Sequence, residues 1–168
     1  MKTNLPPHTE FLFFAEKLAD VSREMLLTAS RTLPEVAVKV DASYVTSTDK
    51  AVEKKLREII ISQYPDHGIY GEEFENINID AEYVWVLDPI DGTAAFVAGI
   101  PVYGTLIALA WKGKPFIGVI DHPITDDRWT GVYDICAFHN GEPVTTRSCA
   151  TLGTVSYTHL TLPTKWIV

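Results

Sequence analysis

Tyr83-Val84-Trp85-Val86-Leu87 runs straight into Asp88-Pro89-Ile90-Asp91-Gly92-Thr93, and a short helical stretch, Ala94 to Ala98, follows. The first five residues are almost wholly apolar and read as a short buried strand. Asp88 and Asp91 therefore converge where the chain leaves a strand and enters a helix. Two carboxylates that close repel each other unless a cation or a proton lies between them. Gly71-Glu72-Glu73 offers a third and a fourth acid. An all-oxygen donor set suits a hard divalent cation, with Mg²⁺ the leading candidate.

On the N-terminal side of this stretch the period is helical. Phe11, Phe14, Ala15, Leu18, Val21, Met25 and Ala29 recur at three- and four-residue steps, which predicts an amphipathic helix stopped near Leu33-Pro34. A second helix is expected from about Thr48, its hydroxyl serving as N-cap, to just before Pro65. Val52, Leu56, Ile59, Ile60 and Gln63 would form its inner side. Val36 to Thr46 between them reads as extended or looping chain.

On the C-terminal side the period is that of strands. Thr105 to Trp111 and Pro115 to Asp121 flank Lys112-Gly113-Lys114, a hairpin signal. Arg128 to Val132 and Ile135 to His139 suggest a further pair, with Asn140-Gly141 as the next tight turn. The expected fold class is α+β: two long helices packed on a mostly antiparallel sheet.

The chain has 168 residues, enough for one core, and a net charge of -8, which argues against binding nucleic acid through a basic surface. No apolar run is long enough to span a bilayer, and residues 1–10 do not read as a signal peptide. Cys136 and Cys149 lack both disulfide-scaffold density and metal-ligand spacing, so two buried thiols in a reducing cytoplasm are expected.

Taken together, Asp49, Gly71-Glu72-Glu73 and Asp88-Pro89-Ile90-Asp91-Gly92-Thr93, in this order, resemble the inositol monophosphatase superfamily. The phrases around Trp85 to Phe96, Pro65 to Glu73 and Gly118 to Pro123 look closest to its histidinol-phosphatase-like branch. The resemblance covers about residues 10–150. It implies the N-terminal half of a layered α/β/α/β/α sugar-phosphatase fold. It also implies Mg²⁺-dependent hydrolysis of a small phosphorylated alcohol by an activated water, within histidine biosynthesis if the substrate is histidinol phosphate. Inositol 1-phosphate and a 3′-phosphonucleotide are the alternative substrates.

The site residues follow from the same resemblance. Glu72, Asp88 and the backbone carbonyl of Ile90 would hold a first metal, and Asp88 with Asp91 a second. Glu72 and Thr93 would place the water, Asp49 would support it, and Lys39 would offset negative charge. Gly92 and Thr93 open a helix, where free N–H groups can hold phosphate oxygens. A small phosphorylated metabolite is the expected partner, with no nucleic acid or membrane; a homodimer is possible for the full-length protein.

Simpler readings stand beside these. Asp88 and Asp91 can cap a helix and fill a turn, Asp49 can be a first-turn acid, and Glu73 and Lys39 can be solvated charges. His67, His122 and His139 lack ligand spacing and are expected to be structural or surface groups. The Asp-x-Asp-Gly-Thr nucleophile motif of haloacid-dehalogenase-like phosphatases does not fit, because two residues separate Asp88 from Asp91. A non-catalytic metal-binding or interaction module is the competing reading of another class.

Family members carry a second α/β domain with a Trp-Asp-x-x-Ala-Gly-like segment that completes the second metal site, and no such segment occurs here. The expectation is thus a metal-binding domain over residues 1–153, an N-terminal portion with little activity of its own. Thr154 to Val168 lacks a periodic face and is expected to be a non-native tail.

Overall fold

The computed structural model describes residues 8–31, 36–38, 44–146 and 148. Lys39, Cys149 and the segment 154–168 lie outside them.

Two helices, α1 (His8–Ala29) and α2 (Ser47–Gln63), pack against one face of a seven-stranded sheet. The strands are β3 (Gly68–Gly71), β4 (Tyr83–Asp91), β5 (Gly104–Trp111), β6 (Lys114–His122), β7 (Asp127–Val132), β8 (Cys136–His139) and β9 (Glu142–Pro143), hydrogen-bonded in that order. A small antiparallel pair, β1 (Val36–Val38) and β2 (Tyr44–Thr46), precedes α2, so the segment read as loosely extended forms a two-stranded ladder where it is described. A six-residue helix, α3 (Thr93–Ala98), follows β4. The expected α+β architecture is the one observed.

The sheet is antiparallel except at one place, since β3 and β4 run parallel. Alternation decides which side chains turn toward the helices. Trp85, Leu87, Ile107, Leu109, Ile117, Val119 and Val132 are all buried in one core with Leu18, Leu26, Val52, Leu56 and Ile60. Burying each such side chain contributes about 1.5–3 kcal/mol relative to leaving it exposed. The two hairpin turns fall where expected: Lys112-Gly113 and Asn140-Gly141 all have positive φ, the geometry that matches strand twist in a tight hairpin.

The structure corrects four local expectations. The buried stripe of α1 is Phe11, Ala15, Leu18, Ala19, Ser22 and Leu26, whereas Phe14, Val21, Met25 and Ala29 lie at its partly buried flank. The stripe passes through Ser22, whose hydroxyl bonds to that of Thr105 on β5, and hydrophobicity alone does not find it. In α2 the N-cap is Thr46 rather than Thr48. The Thr46 hydroxyl accepts from the Thr48 and Asp49 amides while the Asp49 carboxylate accepts from the Thr46 amide, a reciprocal box that needs the acid three residues on. Gln63, expected on the inner side of α2, is exposed, and Glu53 and Arg57 are buried instead. Cys136 is only half-buried.

No helix among the described residues is long and apolar enough to cross a membrane.

Candidate active site

Strand β4 does not stop at Leu87 but continues to Asp91, through a register shift between Asp88 and Asp91 against β5. A bulge of this kind bends the strand and re-aims its side chains. The bulged backbone is tied from behind: the Thr105 hydroxyl donates to the Pro89 carbonyl at 2.9 Å, and Ser22 on α1 meets Thr105 in turn. Sequence reading missed both hydroxyls, because a lone Ser and a lone Thr carry no spacing signal.

The parallel pairing brings Glu72 to Asp88. Gly71 pairs with Leu87 in register, so the next residue on each strand is an acid at the same end of the sheet. Burial is the largest influence on the Asp88 carboxyl, followed by the charge and hydrogen bond of Glu72 and the charges of Asp91 and Asp49; together they push its pKa up to about 8. Four acids read from the sequence thus share one electrostatic neighbourhood.

Asp49 joins them from α2. One of its oxygens belongs to the helix cap, so the simple first-turn role is real, yet the other, Oδ1, accepts from the Thr93 hydroxyl at 3.3 Å. The Thr93 hydroxyl also lies 3.0 Å from the Ile90 carbonyl. Its single proton is therefore committed to Asp49 or Ile90, leaving its lone pairs available to accept. Gly92 caps α3 with a φ of 85°, and Asp91 and Gly92 are exposed at the rim.

Glu72 is held by groups the sequence reading did not single out. Glu53 on α2 is wholly buried, and its Oε2 accepts from the backbone amides of Glu72 at 3.0 Å and Glu73 at 2.7 Å. Arg57, one turn on, donates from Nε to Glu53 Oε1 at 2.7 Å and from its other nitrogens to the carbonyls of Phe74 and Glu75. Gly71 is required for this approach, since a Cβ there would sit 2.0 Å from Glu53 Oε1. The i, i+4 spacing of Glu53 and Arg57 was visible, but such pairs usually mark a solvated helix face.

The histidines do not enter the site. Burial lowers the His67 pKa, and its Nδ1 accepts from Trp85 Nε1–H at 3.1 Å while its ring stacks on Tyr64 and Tyr83. His122 meets the Tyr103 carbonyl and His139 pairs with Asp127.

Among the described residues, no three His, Cys, Asp or Glu side chains already stand at metal-coordinating geometry. The donors nonetheless fit a hard cation. Asp88 Oδ1 is buried with no hydrogen-bond partner, and every charge that bears on it is negative. A proton or a divalent cation relieves that arrangement, and oxygen donors alone favour Mg²⁺ or Ca²⁺.

The chain is 44% identical over 155 residues to the bifunctional phosphatase IMPL2, chloroplastic, of Arabidopsis thaliana, covering 91% of this chain and 44% of that protein. It is 38% identical over 110 residues to the histidinol-phosphatase of Chlorobaculum parvum, covering 66% of this chain and 42% of that one. An inositol monophosphatase from Zymomonas mobilis superposes with a TM-score of 0.71 at 40% identity, over 86% of this chain and 56% of that structure. The chain thus spans about half the length of the relatives it matches. The model of the inositol monophosphatase family matches residues 8–164, and the chain belongs to that family.

Proposed function

We propose that this chain carries the cation-binding half of a Mg²⁺-dependent phosphomonoesterase acting on a small phosphorylated alcohol, histidinol phosphate in the first instance. The observation that carries the reading is the buried, unpartnered Asp88 Oδ1 among three other acids. Glu72, Asp88 and the Ile90 carbonyl would hold one cation, and Asp88 with Asp91 a second. A bound Mg²⁺ supplies the positive charge that draws phosphate into an otherwise anionic site and makes a water acidic enough to attack phosphorus.

The chain's own residues do the rest. Glu72 would orient the water by accepting a hydrogen bond from it. Thr93, whose own proton is engaged by Asp49 or Ile90, would accept a second hydrogen bond from the water with a lone pair, and Asp49, by accepting from that hydroxyl, would hold it in the orientation this requires. The start of α3 at Gly92 and Thr93 presents backbone N–H groups to the phosphate. Lys39 would offset the anionic charge. Histidinol phosphate is preferred over inositol 1-phosphate and 3′-phosphonucleotides on the phrases around Trp85 and Gly118 and on the similarity to two named phosphatases, one of them a histidinol-phosphatase. The expected setting is the cytoplasm, where a free Cys136 thiol stays reduced.

Because a displacement of a reacting group by about 1 Å costs about two orders of magnitude, turnover should depend steeply on how Asp88 and Asp91 hold the second cation. The test is Mg²⁺ titration followed by calorimetry, with phosphate release from histidinol phosphate and inositol 1-phosphate measured in parallel. Saturable binding lost in Asp88→Asn supports the reading. Failure of wild type to bind Mg²⁺ sinks it, and binding with no release at all favours a non-catalytic metal-binding module.

A further inference from the structure

Among the described residues, Glu53–Arg57 is the most buried ion pair, and the chemistry above gives it no step. Its exposure is 0% for the Glu53 side chain and 8% for Arg57, on a buried helix face that also holds Asp49, Val52, Leu56 and Ile60. Buried pairs of this kind add little stability over well-packed apolar residues, because desolvation offsets the attraction. What this pair adds is direction.

Consecutive amides along an extended chain point to opposite sides. The amides of Glu72 and Glu73 both meet Glu53 Oε2, so the backbone must turn sharply as it leaves β3. Arg57 takes hold of the next two carbonyls, at Phe74 and Glu75, and its guanidinium lies over the Phe74 ring at 5.7 Å. Four successive residues, 72 to 75, are thus bonded to two side chains on adjacent turns of α2. The same helix carries Asp49 one turn earlier, bonded to Thr93. Arg57 cancels the Glu53 charge, so the clamp adds no further anion to the acidic neighbourhood.

We infer that Glu53 and Arg57 are positioning residues that set where the Glu72 carboxylate stands relative to Asp88, and hence how tightly the site takes a divalent cation. This rests on the cation-site reading above.

The experiment uses the 168-residue chain and three variants, Glu53→Gln, Arg57→Lys and Gly71→Ala, with exposed Glu58→Gln on the same helix as control. Hydrogen exchange at the Glu72 and Glu73 amides reads the clamp without any metal, and Mg²⁺ titration reads its consequence. In Glu53→Gln, exchange at both amides should speed up roughly tenfold and Mg²⁺ should bind roughly tenfold more weakly, with helix content unchanged. Arg57→Lys should fall between, because one ammonium can keep Glu53 but cannot span two carbonyls as well. Gly71→Ala displaces the Glu53 carboxylate sterically without altering charge, and carries the test if Glu53→Gln does not fold. Unchanged amide exchange, or unchanged Mg²⁺ affinity in a folded variant that binds as wild type does, overturns the inference. Absence of Mg²⁺ binding in wild type overturns the reading beneath it and the inference together, and is told apart because the variants then have nothing to lose.

Discussion

The two ends of β4 are opposites. At Tyr83–Leu87 every demand is met: Trp85 is fully buried, its indole N–H is accepted by His67, and Phe11, Phe14, Tyr64 and Tyr83 surround the pair. At Asp88–Asp91 the ladder shifts register, an oxygen has no partner, and like charges gather. One strand is therefore anchored at its start and left unsatisfied at its end. The lesson is that the strain of a charged site is carried next to a region with none, joined to it by a single rigid element.

The comparison can be broken first at its packed end. Trp85→Ala should cost about 3–5 kcal/mol by leaving a large cavity and an unpaired His67, seen as a lowered midpoint in urea unfolding. Thr105→Val leaves the Ser22 hydroxyl and the Pro89 carbonyl without their partner and should cost about 1–3 kcal/mol, while also weakening Mg²⁺ binding through the bulge. Asp88→Asn does the reverse at the acidic end. It should stabilise the metal-free chain at pH 8 by about 1 kcal/mol, a figure discounted for solvent screening, or roughly 2–4 °C in Tm.

Acidity sharpens the contrast most gently. His67 has a lowered pKa, so the unfolded chain binds the extra proton first, and stability should fall as pH drops below about 6.5. Asp88 is raised from 3.8 to about 8, so the folded chain holds a proton that the unfolded one releases; stability should fall as pH rises through that window. Thermal melts from pH 4 to 8 should show the first slope lost in His67→Phe, and the second lost in Asp88→Asn or on adding Mg²⁺.

Much of this was legible in the residues, for unequal reasons. The helices and hairpins announce themselves through period and turn chemistry, and Lys112-Gly113 and Asn140-Gly141 land where the sequence puts them. The acids were legible because carboxylates that close demand an explanation wherever they lie. The aromatic anchor was not, since Phe11 on α1, Tyr64 and His67 in the turn after α2, and Trp85 on β4 come from three separate parts of the chain and meet only in the fold. Nor was the buried stripe of α1, which runs through Ser22, a residue whose polarity argues for solvent until Thr105 supplies a partner. Glu53 and Arg57 show the same limit: a pair one turn apart looks alike in sequence whether water or protein surrounds it.

The one parallel pairing in the sheet has a consequence for how the chain tolerates change. Because β3 and β4 point the same way, the alignment of Gly71 with Leu87 delivers two acids to one edge however the intervening chain is routed. Insertions at the exposed residues 79–80, beyond the Ile69–Ile77 bridge, should thus be tolerated, while a one-residue slip between the two strands would turn Glu72 away from Asp88 and the buried Ile69 out of the core. Length there is free; phase is not.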